Sequence, residues 1–220
     1  MERNELKTGR HQELEPAKRL ALEHFRRADG KLYALAERHL ADVGLPTPQA
    51  PEKRPAVLMK SIVGQQISIK AANSIWRRLQ PKLFSADGRP ANPSPEELMD
   101  GGASAAKAKS LTALSQALID GRLDMSAFDG WDDERVIEHL TEYPGIGPWT
   151  AEMFLISGLG RPDVFSLRDL GLRVALSRMH GLPAEISRLQ PLADAYSPYG
   201  TLAALVCWRS LDNGDLYAEV

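Results

Sequence analysis

Residues 140–152 read Leu140-Thr-Glu-Tyr-Pro-Gly-Ile-Gly-Pro-Trp-Thr-Ala-Glu152, and this stretch decides how the rest of the chain is read. Upstream, Val136, Ile137 and Leu140 recur at helical spacing. Downstream, Pro148 suits a first helical position and is followed by Ala151, Phe154 and Leu155 on one face. Between the two helices, Gly145 and Gly147 bracket one apolar residue, Ile146. Such a link makes a tight hairpin whose bare backbone can approach another surface closely. The amides of the link and of the next helix's first turn have no intrahelical partner, so they form a ready site for a phosphate oxygen.

The same string continues into Gly160-Arg-Pro-Asp-Val-Phe-Ser-Leu-Arg-Asp169. A Gly-x-Gly triplet alone is an ordinary turn; the hairpin followed by a Gly/Pro loop and an aspartate is far more specific. It resembles the signature of the helix-hairpin-helix base-excision DNA glycosylases, and most of all their 3-methyladenine DNA glycosylase II branch. The resemblance runs from about Lys53 to Trp208 and is sharpest over residues 140–173.

Periodicity gives an all-α chain, with helices at about 16–28, 31–42, 54–63, 66–80, 95–100, 104–120, 132–142, 148–157, 168–179, 185–195 and 200–210. Proline- and glycine-rich links separate them, and no alternating strand or internal repeat is found. The resemblance implies a two-subdomain helical bundle with an active-site cleft between the subdomains. Residues 16–52 and 159–220 would form the terminal-segment subdomain. Residues 53–158 would form the central one, with the hairpin motif at about 132–157. Residues 1–15 read as a mobile tail, and the extra N-terminal β-domain of some relatives is expected to be absent.

The 220 residues are 43% hydrophobic and 25% charged, a globular composition with ample chain for a core. No apolar run approaches a membrane span, and the polar N-terminus has no signal-peptide core. A monomer acting in the bacterial cytoplasm at the nucleoid, or in a eukaryotic nucleus, is expected. The single cysteine, Cys207, excludes an intrachain disulfide and the four-cysteine iron–sulfur cluster of some relatives. A net charge of −2 is unlike a nucleic-acid binder. Its distribution is more telling: Lys53, Arg54, Lys60, Lys70, Arg77, Arg78 and Lys82 face no acidic residue in the same stretch. Such a run reads as a solvated helix face or, beside the hairpin, as a phosphate-facing strip.

Asp169 is the expected catalytic residue. Ser166-Leu-Arg-Asp169 resembles a capping box opening a helix. By resemblance, Asp169 also stands at the superfamily's essential aspartate, where a carboxylate stabilises the oxocarbenium-like transition state and orients water. The neighbouring Arg168 replaces an acidic residue of many relatives. Trp149 occupies the position of the lysine with which bifunctional relatives form a Schiff base. Without that amine the implied enzyme uses water and leaves an abasic site. Trp149 reads either as core or as the base-stacking face of the pocket, where a cationic alkylated base gains about 0.5–2 kcal/mol from cation–π attraction. Tyr199, in Ser197-Pro-Tyr-Gly200, aligns with a second pocket aromatic, and Met153 with a pocket tyrosine of some relatives. Trp208 reads as core.

Ser61-Ile-Val-Gly-Gln-Gln-Ile-Ser68 also resembles the family. A base must leave the stack to reach a pocket, and Gln66 holds the position of the side chain that fills the gap; the alternative is that Gln65 and Gln66 cap or bridge helices. The expected DNA-contacting set is Gln66, Gln65, Gly145, Ile146, Gly147 and Thr150. The carbonyls of Thr141, Tyr143 and Gly145 are expected, by resemblance, to bridge a monovalent ion to a phosphate. No other metal and no cofactor is expected; the partner is double-stranded DNA with damaged bases. The remaining alternatives are a glycosylase for another damaged or mismatched base and a non-catalytic DNA-binding protein.

Overall fold

A computed structural model describes residues 15–216, so all but the last residue of the expected tail lies outside the described residues. The first helices are α1 (Pro16–Ala28), α2 (Gly30–His39), α3 (Arg54–Gly64) and α4 (Ile69–Leu83). They are followed by α5 (Pro95–Asp100), α6 (Ala105–Ile119), α7 (Asp133–Thr141) and α8 (Pro148–Ser157). The last three are α9 (Leu170–His180), α10 (Ile186–Asp194) and α11 (Gly200–Asp212). Two single-turn 3-10 segments, Pro51–Lys53 and Ala127–Gly130, went unread in the sequence. Extended pairing among the described residues is limited to one isolated bridge, Phe84 to Pro90. The architecture is all-α.

The chain divides into two compact units, one from the residues up to Pro46 with those from Arg161 on, the other Thr47–Gly160. In the first unit Phe25, Leu32, Leu172, Leu176, Leu189, Val206 and Cys207 form one core. Burying a side chain of leucine or phenylalanine size contributes about 1.5–3 kcal/mol. Asp29 ends α1 and caps α2, accepting from the amides of Lys31 and Leu32. Its other oxygen accepts from Tyr196 Oη at 2.7 Å and His180 Nε2 at 2.9 Å, so a buried carboxylate with four donors ties α1, α2, α9 and the start of α11's approach together.

In the second unit Leu58, Met59, Ile62, Leu79, Leu83, Leu111, Phe128, Leu140 and Phe154 are buried. Arg54 is 2% exposed among them. Its guanidinium donates to the carbonyls of Gln49 and Met125 and pairs with Asp129 at 2.5 Å. Arg54 therefore leaves the basic strip, because its donors are spent inside the fold. Arg78 is likewise engaged, donating to the Gly101 carbonyl at 2.9 Å where α5 ends. Lys53, Lys60, Lys70, Arg77, Arg78 and Lys82 remain exposed.

Helix boundaries moved at two places that matter. The segment read as a helix over 66–80 starts at Ile69, since Ser68 caps it through the Ala71 amide and Gln66 is left-handed at φ 59°. It then continues through Pro81, carried by buried Leu79 and Leu83 on its inner face. The helix expected from 168 starts at Leu170, because Asp169 is itself the cap at an extended ψ of 122°. The capping-box reading with Ser166 as cap is thereby overturned; Ser166 is buried one turn earlier.

Candidate active site

Within the second unit, α7 and α8 are joined by Glu142 to Gly147. Gly145 adopts φ 81°, the left-handed region that glycine enters without strain. A Cβ there would lie 2.2 Å from Ser110 Oγ on α6, so the turn is seated directly against that helix. A Cβ on Gly147, by contrast, would meet nothing within 4 Å. Pro148 occupies the first turn of α8, whose leading amides have no intrahelical acceptor.

The expected contact set divides here. Ile146 is buried at 5% exposure, and its amide donates to the Tyr143 carbonyl at 3.2 Å. Ile146 anchors the turn from inside and does not offer its amide to a ligand. Thr150 is buried too, and its hydroxyl accepts from Gln65 Nε2 at 2.9 Å. The other proton of that amide goes to the Gly145 carbonyl, also at 2.9 Å. Gln65 thus bridges to the hairpin, as the alternative reading had it, while Gln66 beside it is exposed. Of the three carbonyls expected to hold an ion, Tyr143 and Gly145 already accept one hydrogen bond each. A carbonyl has two lone pairs, so the donor set still fits such an ion.

Trp149 and Met153, on α8, are both partly buried. Lys60, Lys70 and Lys109 are exposed. Lys107 is only partly exposed, and its ammonium donates to the carbonyls of Val63 at 2.8 Å and Gln65 at 2.7 Å. Burial pushes its pKa below the usual lysine value.

In the first unit, Asp169 is partly buried at the N-terminus of α9, facing the positive end of that helix. Its Oδ1 accepts from the Leu172 amide at 2.9 Å and from Trp208 Nε1 at 3.1 Å. Trp208 is therefore no plain core residue. Gly171 makes this approach possible, since a Cβ there would stand 3.0 Å from Asp169 Oδ1 and 3.5 Å from the indole. The loop leading to Asp169 is pinned to α11. Buried Thr201 donates its hydroxyl to the Arg161 carbonyl at 2.6 Å and accepts from the Val164 amide at 3.0 Å. Asp163 accepts from the Gly200 amide and from Ser197 Oγ. Arg173 reaches back to the carbonyls of Leu167 and Arg168. Trp208, Thr201 and Asp163 went unread as site residues, and the Gly/Pro loop ending in an aspartate was their one local signal. Tyr199 is partly buried, with its ring tilted against His24 at 5.5 Å and edge-on to Phe25 at 6.4 Å.

Comparison with known proteins places the chain in a family. Residues 59–192 fit the model of the HhH-GPD superfamily base excision DNA repair protein family. The chain is 34% identical over 164 residues to the Schizosaccharomyces pombe DNA-3-methyladenine glycosylase 1, covering 70% of each chain. It is 35% identical over 170 residues to a Mycobacterium tuberculosis protein described as a probable bifunctional transcriptional activator/DNA repair enzyme AlkA. That match covers 70% of this chain but only 33% of the mycobacterial one. Among solved structures, the S. pombe 3-methyladenine DNA glycosylase in complex with abasic DNA superposes with a TM-score of 0.71 at 27% identity. That superposition covers 87% of this chain and 96% of the other. No helix among the described residues is long and apolar enough to cross a membrane. The carboxylate cap, the glycine hairpin and the match across 59–192 agree: the chain belongs to the HhH-GPD superfamily of base excision DNA repair proteins.

Proposed function

We propose that this chain is a monofunctional DNA glycosylase that extrudes alkylated purines such as 3-methyladenine from duplex DNA and hydrolyses their N-glycosidic bond, leaving an abasic site. The observation that carries this reading is the Asp169 carboxylate, fixed by the Trp208 indole and the Leu172 amide at a helix N-terminus. As the base departs, positive charge grows on the sugar, and a preoriented carboxylate stabilises it without reorganising. The same group orients or deprotonates the attacking water. An alkylated purine is cationic and a good leaving group, so no strong acid is required on the base side. In this reading the extruded base stacks on Trp149, with Tyr199 as a second aromatic and Met153 as a further base contact.

The hairpin holds the backbone: the amides around Gly147 and the first turn of α8 meet a phosphate oxygen. The carbonyls of Thr141, Tyr143 and Gly145 would hold a monovalent ion there, which would supply positive charge toward that phosphate. Exposed Gln66 fills the gap left by the extruded base. The reading is supported by the relatives' names and by the abasic DNA, the product of base removal, bound to the S. pombe enzyme.

The deciding experiment incubates the protein with duplexes carrying 3-methyladenine, 7-methylguanine, 1-methyladenine, hypoxanthine or uracil. Free alkylpurine should appear while the strand stays intact until hydroxide or heat is applied. Borohydride should trap no protein–DNA adduct, since Trp149 offers no amine. Absence of base release from every alkylated duplex would overturn the reading, and a trapped adduct would overturn its monofunctional part.

A further inference from the structure

The loop between α3 and α4 is held from two sides. From α6, Lys107 places its ammonium on the carbonyls of Val63 and Gln65, at the negative end of α3. From the loop itself, Gln65 sends both amide protons into the hairpin, to the Gly145 carbonyl and the Thr150 hydroxyl. One turn beyond Lys107, Ser110 on the same α6 forms the floor against which Gly145 sits. Lys107 therefore grips the loop and Ser110 backs the turn, while Gln65 closes the triangle between them. Directly after these fixed points Gln66 is exposed, and it is held in a left-handed conformation, a rare one for a side-chain-bearing residue. A segment held in that way persists only where its surroundings over-determine it.

We infer that Lys107 and Gln65 are positioning residues that lock the Gln66 loop to the phosphate-gripping hairpin, so that seating the hairpin on the backbone presents Gln66 to the base stack. The inference rests on the reading of Gln66 as the side chain that fills the gap. It assigns a coupling role to a lysine whose ammonium is engaged with two backbone carbonyls. Removing the ammonium frees the last carbonyls of α3 and lets the loop relax, so Gln66 no longer arrives in register with the hairpin. Base extrusion then loses its support while the chemistry at Asp169 is untouched. Partial burial of the Lys107 amine, on two backbone carbonyls, agrees with a structural donor.

The test compares single-turnover excision of an alkylated purine from a fully paired duplex with excision of the same base from an unpaired bulge, where extrusion is already cheap. Lys107→Met should slow duplex excision about tenfold, the scale of losing a charged hydrogen bond, and leave the bulged substrate within about twofold. Lys107→Arg, which keeps two donors, should restore the duplex rate. Gln66→Ala should show the same duplex-selective loss, and the double variant Lys107→Met/Gln66→Ala should be no slower than either single one. Should Lys107→Met fail to fold, Gln65→Leu, which unlinks loop from hairpin, carries the same expectation. Equal slowing on both substrates, or a normal duplex rate for Lys107→Met alongside a slow Gln66→Ala, would overturn the coupling role alone. A normal duplex rate for Gln66→Ala would overturn the Gln66 reading beneath it.

Discussion

Trp208 donates its indole N–H to Oδ1 of Asp169 across 3.1 Å, linking the middle of α11 to the residue that caps α9. The same oxygen caps the helix through Leu172, so one atom serves both the fold and the orientation of the carboxylate. Function and stability can be separated at this site, because asparagine caps a helix as well as aspartate does.

Asp169→Asn should therefore keep the fold and the DNA affinity while lowering excision at least about a hundredfold, the scale of removing one preorganised electrostatic group. Single-turnover base release and a thermal melt check it together. Near-normal excision with an unchanged melt would remove Asp169 from the mechanism.

Trp208→Phe removes the N–H but keeps a ring over Gly171. The carboxylate loses a donor on Oδ1, and kcat should fall about tenfold with substrate affinity held, as expected for one hydrogen bond to a charged group. A rise in KM with kcat unchanged would show instead that the indole serves binding.

What could be read from sequence was what local rules govern. Gly145, Gly147 and Pro148 declare a turn and a helix start by their own conformational limits, and the all-α pattern follows from apolar spacing. The partners of these residues were not legible, because they come from packing across the chain. Trp208 meets Asp169 from 39 residues away, and Lys107 meets Gln65 from 42. Nothing in a tryptophan's or lysine's neighbourhood says which carbonyl or carboxylate it will find. Arg54 shows the same limit from the other side: a basic run looks like one exposed strip until Asp129 and two carbonyls draw one member inside. The left-handed Gln66 was also hidden, since no glycine marks the position.

The two hairpin glycines should behave differently when substituted. Gly145→Ala forces a methyl into Ser110 at positive φ, so it should destabilise the second unit by about 1–3 kcal/mol and weaken DNA binding. Gly147→Ala meets open space at φ −95°, so stability should hold while the methyl obstructs the approaching phosphate. Affinity for all duplexes should then drop without a change in base preference. Urea midpoints beside fluorescence anisotropy at two salt concentrations separate the cases. Equal loss of stability in both variants would contradict this asymmetry.

Stability should also decline at alkaline pH, and Cys207 tells why. Its thiol is fully buried in the core of the first unit, and desolvation, with the Asp29 carboxylate second, pushes its pKa far above the ordinary value of 9.0. Tyr196 is pushed far above 10.0 by burial, then by the Asp29 and Cys207 charges, then by its hydrogen bond to Asp29. Both groups keep their protons in the folded state where the unfolded chain releases them. Below pH 9 neither state is ionised at Cys207 and stability is intact. Above it the unfolded chain holds fewer protons, so the free energy of unfolding falls as pH rises. Each fully titrating group contributes a slope of about 1.4 kcal/mol per pH unit. Urea denaturation at intervals from pH 8 to 11 should show the decline beginning near the thiol's ordinary value and steepening as tyrosine joins. Cys207→Ala should flatten the section between pH 9 and 10 while leaving the later fall. The native thiol should react with a disulfide reagent only as fast as the first unit opens. A variant whose pH profile coincides with the parent's, or rapid labelling of the native thiol, would show that Cys207 is neither buried nor protonated as described.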